Sequence, residues 1–537
     1  MNHLTTLIGS LIVLQINSLE AQEIKNTTAI AQVFADTTIR PSGMRLEWTY
    51  FISGSDFESV KTRTPVIDRD GMLWFLGETE SKDFPTTPDA LYRTYLGGND
   101  MGKEDIYLMK FNTRQPEIAY STILGGAKGS ESPSDLVVKT NGTITIVGST
   151  SSRDFPTTDD ALTNQFQGPE NGRHDDGFLT ILGNGGRKLQ YSTFIGGTRP
   201  DRVTKVFINP SGEMTLFGTT ESPGFPTADA IRPAGVRDGS QFVMRLDAKG
   251  QRILSSRLLA NFAPWEPDVL QLASGDLLIT ASTNNPAFPT TPNAYSSIYH
   301  GSDIQKMPDG KLLQGQGDVF VMRLTTDLKT ISFATLFGGT GDDYYPKIAT
   351  VPGGDFFIFG TTTSNDLPVT TDALEKTMES KRALFLARFS GDGRQLKYCT
   401  YLGGKGAEST SYAGGLVYDG RSKIYLGCGQ VTSPNYPVTP DALQAKPHGC
   451  QDAVLLSFNV ADNSLAYCSY LGGSKNEDIP QLTFDANGAL YVIGTTDSED
   501  FPTLEKKTGQ RKGMDIFISK FSINLASKDS VKKPSSL

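Results

Sequence analysis

One phrase recurs along this chain at a nearly constant interval. Residues 83–91 read DFPTTPDAL and residues 154–162 read DFPTTDDAL. The proline of this phrase occurs seven times, 63 to 79 residues apart, at Pro85, Pro156, Pro226, Pro289, Pro368, Pro437 and Pro502. Self-similarity at a fixed period is the signature of a repeat architecture, in which each unit packs against its neighbours.

Three further phrases keep step with the first, and they predict four strands in each unit. In unit one they are GMLWFLGET before the phrase, then DIYLMKF and YSTILGG after it, and another short strand precedes all three. These apolar runs alternate little, which is typical of strands covered on both faces. The sequence therefore predicts an all-β fold, a seven-bladed β-propeller of four-stranded antiparallel blades over residues 46–522.

The two ends of the repeat region predict how the ring closes. Unit seven ends with its third strand, DIFISKF, and a polar tail (523–537) follows. An unassigned strand, LEWTYFISG at 46–54, precedes unit one and matches the missing fourth strand. We therefore expect the N-terminal strand to complete the last blade.

These linked phrases resemble the SBBP-type β-propeller repeat of exported bacterial proteins. The likeness covers roughly residues 46–522 and seven copies of several motifs. The resemblance implies export and placement on or outside the cell. It implies no catalytic activity, and no catalytic residue is carried over from it.

The recurring phrase itself predicts a structural element. Proline fixes its own φ and holds the preceding residue extended, so Phe84 is expected to pack between sheets. Thr87 suits a helix N-cap, Pro88 suits the first helical position, and Asp89 suits the helix N-terminus. We therefore predict a single helical turn, fixed to its blade by Leu91.

The N-terminal sequence and the net charge limit the expected location of the protein and its expected partners. Residues 7–16 are apolar and small residues follow near Ala21, which predicts a signal peptide over 1–21, a lead-in over 22–45 and a secreted or cell-surface protein. With a net charge of −9, nucleic acid is not an expected partner. No further transmembrane segment is expected after signal removal. The expected protein is a monomer that binds an unidentified protein or glycan.

Four cysteines are too few for a disulfide scaffold. Cys428 ends the second strand of unit six and Cys450 precedes the third strand, so one bridge between these antiparallel neighbours is predicted.

A carboxylate occurs in every unit four or five residues past the end of the fourth strand. We predict that these acids lie near the mouth of the central channel, where they either bind a cation, Ca²⁺ being the ion that oxygen ligands suit, or cap their own loops. Both alternatives stay open for Glu58, Glu131, Asp201, Glu266, Asp343, Glu408 and Glu477.

A second acid precedes the third strand in six units, and a structural role at the strand start is expected for it. These residues are Asp105, Asp176, Asp238, Asp318, Asp452 and Asp515, with Arg382 and Ala383 at the matching place in unit five. No GxSxG, HExxH or P-loop pattern occurs in the sequence. The sequence predicts an exported, non-enzymatic binding or scaffold module. The alternatives are a propeller hydrolase or lyase that uses an acidic channel mouth, and a purely structural surface-layer component.

Overall fold

Seven antiparallel sheets of four strand positions follow one another along the chain. The computed structural model describes residues 43–62, 65–97, 103–168, 174–226, 240–259, 267–301, 317–403, 411–503 and 513–523, together with the backbone of 305–306 and 312–313. The blades lie in the compact unit Arg45–Ile523. The predicted signal peptide (1–21), nearly all of the lead-in and the tail lie outside the described residues.

The strand bounds, in chain order, are β1 (Met44–Ile52), β2 (Glu58–Val60), β3 (Val66–Ile67), β4 (Met72–Thr79), β5 (Asp105–Asn112), β6 (Glu117–Leu124), β7 (Glu131–Val138), β8 (Ile144–Thr150), β9 (Asp176–Gly183), β10 (Lys188–Ile195), β11 (Asp201–Ile208), β12 (Met214–Thr220), β13 (Ser240–Leu246), β14 (Ile253–Leu259), β15 (Asp268–Gln271), β16 (Leu277–Thr283), β17 (Gln305–Lys306), β18 (Leu312–Leu313), β19 (Asp318–Leu324), β20 (Ile331–Phe337), β21 (Asp343–Thr350), β22 (Phe356–Thr362), β23 (Ala383–Phe389), β24 (Leu396–Leu402), β25 (Tyr412–Tyr418), β26 (Lys423–Val431), β27 (Asp452–Asn459), β28 (Leu465–Leu471), β29 (Gln481–Phe484), β30 (Leu490–Thr496) and β31 (Asp515–Ile523).

Blades 1 to 6 take their strands in sequence order. Blade 1 is β2 and β3 on β4, then β5 and β6; blade 2 is β7–β10; blade 3 is β11–β14; blade 4 is β15, β16, β19 and β20; blade 5 is β21–β24; blade 6 is β25–β28. The first strands of successive blades contact one another, as β7 does with β11 and β21 with β25. These strands therefore surround the axis, and the fourth strand of each blade is the outer edge.

The ring closes as the sequence predicts. Blade 7 has the order β29, β30, β31, β1, so the N-terminal strand completes it. Thr49 Oγ1 lies 2.9 Å from Ser519 Oγ and donates to the carbonyl oxygen of Pro502 at 2.8 Å. Lys520 Nζ lies 2.8 Å from a carboxylate oxygen of Glu47. The seven-bladed propeller and its closure are thus confirmed.

The recurring FP phrase places one aromatic ring between two blades. Phe84 is buried and stacks on Tyr107, with ring centroids 4.7 Å apart. Phe155 on Phe178 repeats the contact at 4.8 Å in blade 2. Aromatic pairs of this kind stabilise a fold beyond the area they bury. The phrase therefore contributes to the core of each blade.

The predicted helical turn at 87–91 is wrong, and a single hydrogen-bonded turn stands in its place. Ala90 N–H donates to Thr87 O at 3.1 Å, and the residues after it remain outside regular structure. The helix does not continue because Thr87 bonds instead to the outer strand: its N–H donates to Ser121 O at 3.1 Å, and its Oγ1 accepts from Ser121 N–H at 3.3 Å.

The same backbone bond covers the exposed edge of four further blades. A threonine N–H donates to the fourth strand at 3.0 Å in the pairs Thr158 with Ser192, Thr291 with Ala334, Thr370 with Cys399, and Thr439 with Cys468. An uncovered edge strand offers unpaired backbone groups to other chains. The threonine two residues after the proline thus protects the outer strand from such pairing in these blades.

The predicted Cys428–Cys450 bridge is also wrong, because all four thiols are free. The ladder between the second and third strands pairs Cys428 with Val454, four residues beyond Cys450. Four residues of strand span about 13 Å, more than a disulfide reaches. Cys428 is buried and its thiol donates to Val454 O at 3.3 Å, whereas Cys450 is exposed and its N–H donates to Lys475 O.

Within the described part of the chain, no helix has the length and hydropathy of a membrane span.

Candidate functional site

Five of the seven repeated acids fall within the described residues, and all five are buried. Glu58, Glu131, Asp201 and Asp343 each begin the first strand of a blade. Glu477 forms an isolated bridge with Thr496 just before β29. Their side chains are at most 2% exposed, so they lie inside the protein and not on an open rim. Glu266 and Glu408 lie outside the described residues.

Each buried acid is held by one backbone N–H and by hydroxyl groups at the end of the second strand. Asp201 accepts from Gly197 N–H at 2.7 Å and from Ser222 Oγ at 2.8 Å. Asp343 accepts from Gly339 N–H and from Ser364 Oγ, both at 2.9 Å. The donor glycine ends the preceding blade, so the acid connects two blades.

Sequence reasoning missed the hydroxyl donors, although the signal was present. A Thr-x-Ser triplet follows the second-strand glycine in five units: Thr79–Ser81, Thr150–Ser152, Thr220–Ser222, Thr362–Ser364 and Thr496–Ser498. Unit four has Asn285 at the serine position and unit six has Val431 at the threonine position. These are the units of Glu266 and Glu408, so the donor triplet varies while the acid is retained.

The aspartates that precede the third strand accept hydrogen bonds from the loop between the second and third strands. Asp105 Oδ2 accepts from Leu96 N–H at 2.7 Å, and Asp176 Oδ2 from Gln167 N–H at 2.8 Å. Asp318 and Asp452 accept in the same way from His300 N–H and His448 N–H, both at 2.8 Å. These bonds fit the structural role that we expected.

The two families of acids meet at the blade interfaces, which the sequence did not predict. The third-strand aspartate of one blade lies beside the first-strand acid of the next blade. Among the described residues the pairs are Asp105 with Glu131, Asp176 with Asp201, Asp318 with Asp343, Asp452 with Glu477, and Asp515 with Glu58.

A glycine lies between the members of a pair and admits this close approach. A Cβ atom at Gly125 would lie 2.5 Å from Asp105 Oδ1 and 2.7 Å from Glu131 Oε2. At Gly338, it would lie 2.6 Å from both Asp318 Oδ1 and Asp343 Oδ2. Because no side chain fits at these distances, the first glycine of the repeated Gly-Gly is required by the carboxyl pair.

The carboxyl groups of Asp105 and Glu131 are placed to share a proton. Neither Asp105 Oδ1 nor Glu131 Oε2 has another hydrogen-bond partner among the described residues. Two ionised carboxylates cannot donate to each other, so one must be protonated for these oxygens to bond. Burial raises the pKa of Glu131 to about 8, and the charge of Asp105 adds to the rise. Burial also raises the pKa of Asp105, to about 6. Both shifts favour a protonated carboxyl group in this pair, because burial disfavours two charges side by side.

Burial shifts the other pairs in the same direction. It raises the pKa of Glu58, Asp176, Asp343 and Glu477 to about 7, that of Asp201 and Asp318 to about 6, and that of Asp452 above its ordinary value. Each interface thus supplies two carboxyl groups and hydroxyl oxygens. Among the described residues, no group of three or more His, Cys, Asp or Glu side chains is arranged to hold a metal ion. The cation hypothesis remains a prediction, in which the ion replaces the shared proton.

Blade 5 departs from this pattern, because Arg382 precedes its third strand. The guanidinium of Arg382 lies 4.9 Å from the ring centroid of Tyr412 and 6.0 Å from that of Tyr344. Its Nη1 donates to the Tyr412 hydroxyl at 2.6 Å. This cluster is an unmatched group of polar side chains on the face formed by the loops that precede the first and third strands.

Comparison with known proteins finds only distant likenesses. No family model matches the chain, and no curated protein matches it. Among solved structures, a polysaccharide lyase of family PL25, an ulvan lyase, is 11% identical with a TM-score of 0.43. The match covers 87% of this chain and 97% of the lyase chain. A protein of unknown function from Dyadobacter fermentans DSM 18053 is 11% identical with a TM-score of 0.39 and covers 90% and 100%. BamB from Moraxella catarrhalis is 10% identical with a TM-score of 0.34 and covers 89% and 100%. These likenesses carry no argument about activity.

Proposed function

We propose that this chain is an exported, non-catalytic binding or scaffold module built from SBBP-type repeats. The observation that carries the proposal is that the recurring polar groups bond within the repeat structure itself. The acids that recur from unit to unit are buried, and they bond to neighbouring blades in the same way at the five described interfaces. Groups employed in this manner position blades, and a repeat scaffold of this kind presents its loops and seams for recognition.

The alternative, a propeller hydrolase or lyase, is favoured by one observation. The cluster of Arg382, Tyr344 and Tyr412 breaks the repeat pattern on one face, as a reaction centre would. Burial raises the pKa of Tyr344 to about 12, although the charge of Arg382 opposes the rise. A phenol of that pKa is a poor base near neutral pH, so the binding role is the better supported proposal.

Expression of the full chain in a bacterial host tests both parts of the proposal. We expect the chain outside the cytoplasm to begin at Gln22, which mass spectrometry of its N-terminal peptide would establish. A glycan and protein array of the purified chain should then yield bound partners that are recovered chemically unchanged. Cytoplasmic retention with residues 1–21 intact would contradict export, and cleavage of an array ligand would contradict a non-catalytic role.

A further inference from the structure

Two described blade interfaces share an aromatic contact on the face opposite the carboxyl pairs. Tyr120 of β6 donates its hydroxyl proton to Gly186 O, in the turn between β9 and β10, at 2.8 Å. Tyr191 of β10 donates to Gly250 O in the following blade at 2.6 Å. Both tyrosines are buried, and a Cβ atom at Gly186 would lie 2.6 Å from the Tyr120 ring. The ring of one blade thus fills the space above the turn of the next.

The interface between blades 7 and 1 lacks this filling. Trp48 of β1 occupies the position equivalent to Tyr191 of β10. The residue after each one shows this equivalence, because Thr49 contacts Ser519 in blade 7 as Ser192 contacts Thr180 in blade 2. The turn between β5 and β6 of blade 1 reads TRQP (113–116) and contains no glycine to receive a ring. Trp48 is only half-buried, with its ring centroid 6.0 Å from those of Phe111 and Tyr491.

A cavity of about 330 Å³ opens at this position. We call it the seam cavity; its lining includes Glu47, Trp48, Arg69, Arg114, Asp485 and Lys520. Its volume falls in the range of small-molecule sites. It lies where the first and last blades meet, so the other six interfaces have no copy of Trp48 beside these arginines.

The arginines of the seam cavity remain available, whereas its acids are engaged. Among the described residues, neither guanidinium of the exposed Arg69 and Arg114 has a hydrogen-bond or ion-pair partner. Arg114 lies over the turn that contains Arg69 and Gly71. A Cβ atom added at Gly71 would lie 3.1 Å from Arg114 Nε. Thr113 Oγ1 also donates to Gly71 O at 2.6 Å and ties the two turns together.

Each acid of the lining already has its partners within the protein. Glu47 pairs with Lys520 at 2.8 Å. Asp68 accepts from Trp74 Nε1 at 2.9 Å and from Met72 N–H at 3.0 Å, and Asp485 accepts from the backbone N–H of Ala489 at 2.9 Å. The free hydrogen-bonding capacity of the cavity therefore consists mainly of guanidinium donors beside an indole ring.

We propose that the seam cavity binds a short acidic saccharide. The face of Trp48 packs against a sugar ring, and Arg69 and Arg114 bind a carboxylate or sulfate group of the same or the adjacent sugar. Guanidinium groups match such planar or multidentate anions, and their bonds to them are strong because both partners are charged. The predominantly polar lining favours a hydroxyl-rich ligand over an apolar peptide side chain. This inference rests on the proposed binding function and names its ligand class and site.

Titration calorimetry of the full chain with three tetrasaccharides tests the site. The probes are tetragalacturonate, which carries carboxylates, a sulfated galactan tetrasaccharide, and neutral maltotetraose. We expect at least one acidic probe to bind and maltotetraose to bind at least tenfold more weakly. The carboxylate and sulfate arms identify which anion the arginines select.

Variants on one face of the propeller supply the matched control. Arg114→Gln and Arg69→Gln should each weaken the acidic probe about tenfold or more, and Trp48→Ala should also weaken it by removing the ring that packs against the sugar. Arg394→Gln changes an exposed arginine in the corresponding turn of blade 5 and should leave binding unchanged. Equal melting temperatures of the variants would show that the fold is retained.

The results separate the site from the function. Binding of none of the three saccharides, equal binding of neutral and acidic probes, or equal effects of Arg114→Gln and Arg394→Gln would overturn the seam site. Array partners that bind Arg114→Gln and the unaltered chain alike would overturn the site and leave the binding module intact. Shorter saccharides released from a probe whose binding depends on Arg114 would support the site and overturn the non-catalytic role.

Discussion

Replacing Glu131 by Gln should make the stability of the propeller less dependent on pH. The pKa of Glu131 is raised in the folded state, so the folded chain binds its proton more tightly than the unfolded chain does. The corresponding stabilisation is fully present below the unfolded pKa, near 4.5, and is lost as the pH rises through about 8. Glutamine keeps the shape of the protonated acid, and its Nε2 can donate to Asp105, but it has no proton to lose.

The size of the effect follows from the shift. The pKa rises from 4.5 to about 8, and each unit corresponds to 1.36 kcal/mol. The pair should therefore lose on the order of 4 kcal/mol of stability between pH 4.5 and pH 8.5. Unfolding entropy of about 2.1 cal/mol/K per residue, over the roughly 480 residues of Arg45–Ile523, converts this loss into about 4 °C of melting temperature.

Differential scanning calorimetry at pH 5, 7 and 8.5 measures this dependence. Relative to the unaltered chain, Glu131→Gln should gain about 4 °C between pH 5 and pH 8.5. Glu117→Gln is the control, because Glu117 is an exposed acid on the neighbouring strand β6. An unaltered chain with equal melting temperatures at pH 5 and 8.5, or a Glu131→Gln variant with the same pH slope as the control, would refute the shared proton.

Three further predictions concern the ions, the closure and the cysteines. Ca²⁺ should raise the melting temperature at pH 8 and not at pH 5, because the ion and the proton compete for the same carboxyl oxygens. The double variant Asp343→Asn, Glu477→Gln should show a smaller response. A thermal-shift assay without any Ca²⁺ response at either pH would eliminate the cation hypothesis. Deletion of residues 1–54 should expose β31 as an edge and cause aggregation in light scattering, and a monomeric product with an unchanged melting temperature would contradict closure by β1. Thiol titration of the denatured, unreduced chain should count four free thiols, whereas a count of two would restore a disulfide.

The propeller was predictable because its signals are local and repeat. Pro85 and its six counterparts mark the same loop, and the Gly-Gly that ends YSTILGG marks the same strand end. A single copy of either would be weak, but seven copies of the proline phrase in register with five copies of Gly-Gly leave few architectures. Closure was predictable for the same reason, since a missing strand at one end matched an extra strand at the other.

The carboxyl pairs were not predictable, because each joins residues of different motifs on different blades. Counting along the repeat located Asp105 and Glu131 separately, and it assigned one a structural role and the other a place near the channel mouth. Only the docking of blade 2 on blade 1 brings the two together across Gly125. The hydroxyl donors Thr150 and Ser152 then enclose the acid, so burial and the pKa shift are consequences of packing.

The cysteine prediction failed for a related reason. Strand order brings the second and third strands of blade 6 together, but it does not set their register. The register places Cys428 opposite Val454, and this pairing leaves Cys450 beyond bonding reach.

The carboxyl pair at the closure contributes to the ring in a way that the other pairs do not. Asp515 belongs to β31, the last strand among the described residues, and Glu58 to the first strand of blade 1, so this pair joins the two ends of the repeat region. At the other interfaces the chain passes directly from one blade to the next, whereas the covalent link between blades 7 and 1 runs through β1. Burial raises the pKa of Glu58 to about 7, so a second charge develops at this interface as the pH rises. Alkaline destabilisation should therefore begin at the closure, beside the seam cavity. Blades 7 and 1 can separate there once β1 is released from β31, because the chain connects these two blades only through β1.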